Sequence, residues 1–281
     1  MNIDLDKVNF VHLPGGEVHL NAKDFKDALK NALLLTPEPT SEVITLWSPL
    51  RNATDIMELL IFTDAIRRSD YKDYELNVII PYLPYARQDR ASNYGESLTS
   101  KVFANIINAQ KYDSVIAYDP HSDVITALID NLTVIKMKPV NCVAHTLDGT
   151  YILVAPDASQ YKRLRKMYPD EPIIYAVKSR NTETGSLTDM KLILDGVDSR
   201  RLSDATLLVV DDICDGGATF NLLAKTIRQN GYDNDMVLFV THGIFSKGFD
   251  ELKKYYKHIY TTNSFYQGES DDFVTAFFID I

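Results

Sequence analysis

The densest chemistry in the chain lies in Val209-Val210-Asp211-Asp212-Ile213-Cys214-Asp215-Gly216-Gly217-Ala218-Thr219. Apolar residues of strand type lead into two adjacent carboxylates, then a glycine-rich turn, then a helical pattern. Open α/β sheets place ligands at the carboxyl ends of their strands. A helix start offers unpaired backbone N–H groups and a positive dipole end, which suits a phosphate. Gly216 and Gly217 let the backbone approach such an anion closely. Successive strand residues face opposite ways. At a strand end, however, Asp211 and Asp212 can both reach one sugar, whose vicinal hydroxyls want carboxylate acceptors. The same residues also read as a plain strand end followed by an acid-capped helix. The run is neither a Gly-x-x-x-x-Gly-Lys-Ser/Thr phosphate loop nor a Gly-x-Gly-x-x-Gly dinucleotide fingerprint.

A second segment, from Ser179 through Arg180, Asn181 and Gly185 to Asp189, is polar and almost without core residues. A polar connection of this length inside a compact domain reads either as a mobile lid or as an ordinary solvated link.

The elements that must position these groups follow from apolar patterning. Leu76–Ile80, Ser114–Tyr118, Tyr151–Ala155, Ile173–Val177, Lys191–Leu194, Thr206–Val210 and Met236–Val240 read as strands. Most are continuous in Val, Ile and Leu, as expected of strands buried on both faces of a parallel sheet. Between them run helical stripes: Ile56, Leu59, Leu60, Thr63 and Ile66, with Asn52 or Thr54 as cap; Leu98, Val102, Phe103, Ile106 and Ile107; and Thr219–Gln229, closed by Asn230-Gly231. This alternation predicts an α/β fold with helices on both faces of mostly parallel sheets. At 281 residues the chain has room for two such halves. Pro139, Asn141, Asp148 and Gly149 interrupt the pattern and place the division near residues 138–150.

Composition narrows the partners. With 45% hydrophobic residues there is material for a full core. A net charge of −10 argues against nucleic acid and against anionic membranes. The two cysteines, Cys142 and Cys214, supply no disulfide framework, and the first residues carry no secretory signal, so a reducing cytoplasm is expected. No apolar run is long enough to span a bilayer.

The Val209–Thr219 run resembles the phosphoribosyl-pyrophosphate (PRPP) binding motif shared by type I phosphoribosyltransferases and ribose-phosphate pyrophosphokinases. Further segments resemble the second family. Pro81-Tyr82-Leu83-Pro84-Tyr85-Ala86-Arg87-Gln88-Asp89-Arg90 is similar to its nucleotide-contacting run, and Thr241-His242-Gly243-Ile244-Phe245-Ser246 to its C-terminal motif. Tyr118-Asp119-Pro120-His121, Ala155-Pro156-Asp157 and Lys178-Ser179-Arg180 are similar to shorter motifs, and all occur in one consistent order from about Gly16 to about Ser264. The resemblance implies two phosphoribosyltransferase-type domains, 1–143 and 144–281, each a mostly parallel sheet flanked by helices. It also implies transfer of the intact β,γ-diphosphoryl group of ATP to the 1-hydroxyl of ribose 5-phosphate, giving PRPP and AMP. Such transfers rest on positioning and charge stabilisation.

By that resemblance Arg87 and Gln88 hold ATP, with Arg90 supporting the loop, and Glu17 is an adenine-contacting acid on a loop reaching a neighbouring subunit. His121 binds the Mg²⁺ that travels with ATP, although Mg²⁺ prefers oxygen. Asp119 orients His121 or caps its turn, and Asp157 is a further Mg²⁺ or water ligand. Lys178 and Arg180 are lid cations that close on the triphosphate. Asp211 and Asp212 hold the ribose hydroxyls, while Asp215, Gly216, Gly217, Ala218 and Thr219 wrap the 5-phosphate. A cytoplasmic homo-oligomer, dimer or hexamer, is implied.

The chain departs from the family in places. Leu13 stands for an aromatic and Gly15 for an acid or amide near Glu17. Ala158-Ser159-Gln160 replaces a glycine pair after Asp157. Ala218 replaces a glycine, and Gly216 stands where a hydroxyl residue is common. Ala91–Ser97 carries no cation where the family has several, so neither phosphate activation nor allosteric ADP inhibition is expected. The chain is also shorter at its C-terminal end, which puts the hexamer in question. Two other readings compete: a type I phosphoribosyltransferase, which leaves the Arg87–Arg90 half without a purpose, and a non-catalytic regulatory relative, against which stands the presence of every lid cation and candidate ligand.

Overall fold

The computed structural model describes residues 1–35, 42–143, 145–147, 149–180 and 187–279. The chain forms two compact units, Met1–Lys136 and Met137–Ile279.

The first unit runs β1 (Asn2–Asp4), β2 (Val11–His12), β3 (Val18–His19), α1 (Ala22–Leu35), β4 (Val43–Trp47), α2 (Ala53–Arg67), β5 (Glu75–Ile80), α3 (Thr99–Ala109), β6 (Ser114–Tyr118), α4 (Asp123–Leu128) and β7 (Leu132–Ile135). Its main sheet has the order β1-β4-β5-β6-β7 and is parallel throughout. β2 and β3 form a separate antiparallel hairpin. Of the two proposed caps for α2, Asn52 is the one used: its side chain accepts from the Thr54 and Asp55 N–H groups, and Asp55 reaches back to close a capping box. Ile56, Leu59, Phe62 and Ile66 then face one core shared with β4, β5 and α3.

The second unit runs α5 (Pro139–Val143), β8 (Tyr151–Ala155), α6 (Ala158–Met167), β9 (Ile173–Arg180), β10 (Leu187–Asp195), α7 (Ser199–Ser203), β11 (Thr206–Cys214), α8 (Ala218–Gln229), β12 (Met236–Gly243), β13 (His258–Thr262) and β14 (Val274–Phe277). Its sheet has the order β10-β9-β8-β11-β12-β13-β14 and is parallel except for the β9–β10 hairpin. α5 occupies the stretch in which the sequence pattern broke.

β11 sits in the middle of this sheet, and its residues alternate between two cores. Leu207 and Val209 join the cluster containing Phe220, Leu223 and Ile227 of α8. Leu208 and Val210 join the one containing Val143 and Leu164 of α5 and α6. Burial on both faces is why this strand reads as an unbroken apolar run. Each of these four residues contributes roughly 1.5–3 kcal/mol by burial, enough to fix the strand and carry charged residues at its end.

The polar segment differs from its expected form. β9 continues through Arg180 and β10 begins at Leu187, so Lys178 pairs in register with Met190 and Arg180 with Leu187. The backbone of Lys178 and Arg180 is therefore strand, because antiparallel pairing satisfies their N–H and C=O groups without needing apolar side chains. Residues 181–186 of the expected lid lie outside the described residues, as do the side chains of Lys178 and Arg180.

Candidate functional site

In the second unit the strand does not stop at the aspartate pair. β11 carries Asp211 opposite Val240 and Ile213 opposite His242 of β12. The pleat therefore divides the pair. Asp212 continues the row of Leu208 and Val210 and meets α6: its carboxylate is almost fully buried and accepts from Arg163 Nη1 at 3.4 Å. Asp211 keeps some solvent contact, and its Oδ1 accepts the Asp212 N–H at 2.9 Å. Burial pushes Asp211 well above the usual carboxylate range, the neighbouring Asp212 charge pushes further in the same direction, and Asp157 adds to it. Asp157, Asp211 and Asp212 thus share one field although 54 positions separate the first two in sequence.

Asp157 is also the N-cap of α6. Its Oδ1 accepts the Ser159 and Gln160 N–H groups, both at 3.0 Å. The residue expected as a Mg²⁺ or water ligand thus serves as a helix cap. Further along α6, Tyr161 and Arg165 both bond the Asp195 carboxylate at the end of β10, which fixes the helix that presents Arg163.

After Cys214 the chain turns through Asp215, Gly216 and Gly217 into α8. Gly217 is the N-cap, with φ +74°, and no side chain caps the helix. A Cβ at Gly217 would also lie 3.3 Å from Leu252 Cδ2, so both conformation and space demand glycine. The first N–H groups of α8 are thus left without a side-chain acceptor, which is the arrangement a bound anion uses. Thr219 is half-buried and Ala218 exposed in this first turn. Cys214 is buried, and its thiol is pushed up to about 12, first by that burial and then by Asp211 and Asp215. It packs and does not react.

The Thr241–Ser246 run braces this turn from the neighbouring strand. The Ile244 and Phe245 N–H groups donate to the Cys214 carbonyl at 2.9 and 3.1 Å. Ser246 Oγ donates to Asp215 Oδ1 at 2.6 Å. His242 is buried, with Nδ1 2.7 Å from Ser264 Oγ. These are supporting contacts, and the roles of Ser246 and Arg163 were not readable from their positions in the chain.

In the first unit, Leu83 and Ala86 are buried while Arg87 and Gln88 stand exposed between them and α3. The Tyr85 carbonyl accepts the Gln88 N–H at 3.0 Å, and the Gln88 carbonyl accepts the Ser100 N–H at 3.3 Å, fixing the loop onto the start of α3. Asp89, part of the Pro81–Arg90 run but assigned no role there, links this loop to another. Its Oδ2 accepts from Ser122 Oγ at 2.6 Å, and Ser122 in turn caps α4. Exposed His121 immediately precedes Ser122, and Asp119 is buried in a left-handed turn whose N–H donates to Ile135. The structure therefore joins the Arg87–Gln88 loop to the His121 loop. Glu17 stands on a separate element, exposed at the tip of the β2–β3 hairpin. That hairpin is held to α2 by His12 Nε2 at 3.1 Å from Glu58 Oε1.

The cation-free stretch has an acceptor of its own. Glu96 accepts the Ser92 and Asn93 N–H groups at 2.6 and 2.9 Å and the Asn93 side-chain amide. These bonds, led by the side-chain amide, lower its pKa. Among the described residues no three His, Cys, Asp or Glu side chains form a ready metal cage, and no helix is long and apolar enough to cross a membrane.

Two units built on parallel sheets, one of them ending in an acidic strand terminus and a glycine turn, define an α/β protein suited to phosphorylated sugars or nucleotides. Residues 19–110 match the N-terminal domain of ribose phosphate pyrophosphokinase. The chain is 27% identical over 250 residues to a ribose-phosphate pyrophosphokinase of Fusobacterium nucleatum, covering 87% of this chain and 73% of that protein. It is 26% identical over 250 residues to that of Bacillus subtilis, covering 88% and 73%. The fold matches the crystal structure of phosphoribosylpyrophosphate synthetase from Mycobacterium smegmatis with a TM-score of 0.73 at 20% identity, covering 96% of this chain and 85% of that one. The chain is a relative of the ribose-phosphate pyrophosphokinases.

Proposed function

We propose that the protein is a ribose-phosphate diphosphokinase, transferring the β,γ-diphosphoryl group of ATP to the 1-hydroxyl of ribose 5-phosphate to give PRPP and AMP. The observation that carries this reading is the acidic end of β11. Three carboxylates share one field there beside a glycine turn whose helix start is uncapped. Carboxylates accept from sugar hydroxyls, and the uncapped N–H groups donate to a phosphate, so ribose 5-phosphate answers both ends of the site.

Asp211 and Asp212 are assigned to the ribose hydroxyls. Asp211 reaches them directly, as the one that keeps solvent contact, and Asp212, buried on the other side of the pleat, does so by way of its Arg163 pairing giving way. Asp215 to Thr219 are assigned to the 5-phosphate. Arg87 and Gln88 take ATP, Arg87 through its donor fork and Gln88 through donor and acceptor alike. Glu17 is assigned to adenine. Lys178 and Arg180 are assigned to the charge that develops as the bond to the α-phosphate oxygen breaks.

Magnesium fits this donor set. Asp211 is raised first by burial and then by the Asp212 and Asp157 charges, and the repulsive part is of the kind a divalent cation relieves. His121 in the first unit and Asp157 in the second are each assigned as a Mg²⁺ ligand, and the metal when bound would neutralise phosphate charge. A homo-oligomer in the cytoplasm completes the proposal.

The test is to incubate the pure protein with ATP, ribose 5-phosphate and Mg²⁺. AMP appearing one-for-one with PRPP supports the proposal. Release of ADP instead would indicate transfer of a single phosphate, and no turnover would favour a non-catalytic relative.

A further inference from the structure

The glycine turn carries an acid, Asp215, and no cation of its own. The structure places one beside it. A Cβ built on Gly216 would lie 3.4 Å from both Cδ and Cε of Lys247, so the lysine stem runs over the bare backbone of Gly216. Lys247 is otherwise exposed, and its neighbour Ser246 is bonded to Asp215, which fixes the two segments together. The methylenes pack on the turn, and the ammonium lies one bond beyond Cε, within reach of a ligand seated there. A Cβ at 216 would only touch the stem, whereas the larger side chain of threonine adds bulk beside it.

Resting on the ribose 5-phosphate reading, we propose that Lys247 is a phosphate-binding residue of this site, its ammonium supplying the 5-phosphate with a side-chain donor that the turn itself lacks. Gly216 and Lys247 then act as one device, in which an ammonium from the following strand's loop stands in for a hydroxyl on the turn. A lysine binds phosphate as a point charge with three donors and needs no fixed fork geometry. Delivery from a loop one strand away is therefore sufficient.

Calorimetric titration of ribose 5-phosphate into wild type, K247Q, K247R and G216T tests this at low and high salt. K247Q should bind about 10-fold more weakly, the range for a lost hydrogen bond to a charged group. K247R should stay within about threefold of wild type. G216T, which adds bulk beside the stem, should weaken binding in the direction of K247Q. The gap between wild type and K247Q should narrow as salt rises, since an exposed charge is screened, and a merely structural effect would not follow salt in this way. Lys247 is exposed, so thermal midpoints of wild type and K247Q should agree.

Equal affinity of wild type and K247Q overturns the assignment and leaves the proposed reaction standing. A wild type that binds ribose 5-phosphate but forms no PRPP defeats the reaction and leaves Lys247 to be judged by the titrations. A wild type that does not bind ribose 5-phosphate defeats both.

Discussion

In the first unit, Arg87 and Gln88 stand exposed on a loop whose link to the His121 loop is a hydrogen bond from Ser122 to Asp89. In the second, Asp211 and Asp212 continue a strand whose four preceding residues are fully enclosed by two cores. A loop held by polar contacts can adjust to a large, flexible triphosphate at small cost. A strand end cannot move without disturbing the sheet, so it holds acceptors in place before the ligand arrives. Burial first, and the neighbouring Asp212 charge second, raise Asp211 there. On the proposed assignment, the sugar is met by a pre-set, electrostatically loaded strand, and the nucleotide by a loop joined to its neighbour through polar side-chain contacts.

The comparison is broken most forcefully at the hairpin of the second unit. Lys178→Ala should cut kcat by about 10²–10⁵ while changing affinity for either substrate far less, as lost cationic transition-state contacts do. A near-normal kcat in steady-state assays would make the lid cations bystanders.

Next comes the loaded carboxylate. Asp211→Asn should weaken ribose 5-phosphate binding by about 10–100-fold, having removed a charged acceptor. It should also raise Tm at pH 8. Because the folded protein holds Asp211 above its unfolded pKa, ionising it opposes folding. Stability is then greatest below the unfolded carboxylate range and falls as pH rises through the raised value. Asparagine removes that loss, so the Tm advantage should vanish below about pH 4. A variant less stable than wild type at pH 8 contradicts the loaded-site picture.

The nucleotide side should respond more gently. Asp89→Ala frees the Ser122 hydroxyl and should raise the KM for ATP by about three- to tenfold, with that for ribose 5-phosphate unaffected. A ribose 5-phosphate effect of equal size would erase the distinction between the units. Smallest of all is the response to inorganic phosphate. Glu96 already occupies the N–H groups of its loop, so varying phosphate at saturating substrates should change the rate by less than about twofold. A sigmoidal activation curve would contradict this.

Much of this was visible in the residues alone, for reasons that differ along the chain. β11, β5 and β12 could be read because burial on both faces leaves continuous apolar runs. The α2 cap could be narrowed to Asn52 or Thr54 because capping depends on residues within one turn, and the structure selects Asn52. β4 (Val43–Trp47) and β13 (His258–Thr262) were missed. In β13 the fully buried Thr261 and Thr262 are polar by type, so counting apolar residues passes over them. The ends of β9 and β10 look like connection in the sequence because their pairing is carried by the backbone.

Within the site, the aspartates and glycines announce themselves locally. The residues that support them do not. Ser122 and Asp89 are 33 positions apart, Ser246 and Asp215 31, and Arg163 and Asp212 49. Nothing in one short stretch signals such a partner until the sheet order brings the elements side by side.

The assignment of one substrate to each unit is tested most directly by binding. Ribose 5-phosphate and a non-hydrolysable ATP analogue should each be titrated into wild type, Asp211→Asn and Arg87→Ala. The account predicts that Asp211→Asn loses the sugar phosphate and keeps the nucleotide, and that Arg87→Ala does the reverse. Both variants losing both ligands, or Arg87→Ala losing only the sugar phosphate, would contradict it.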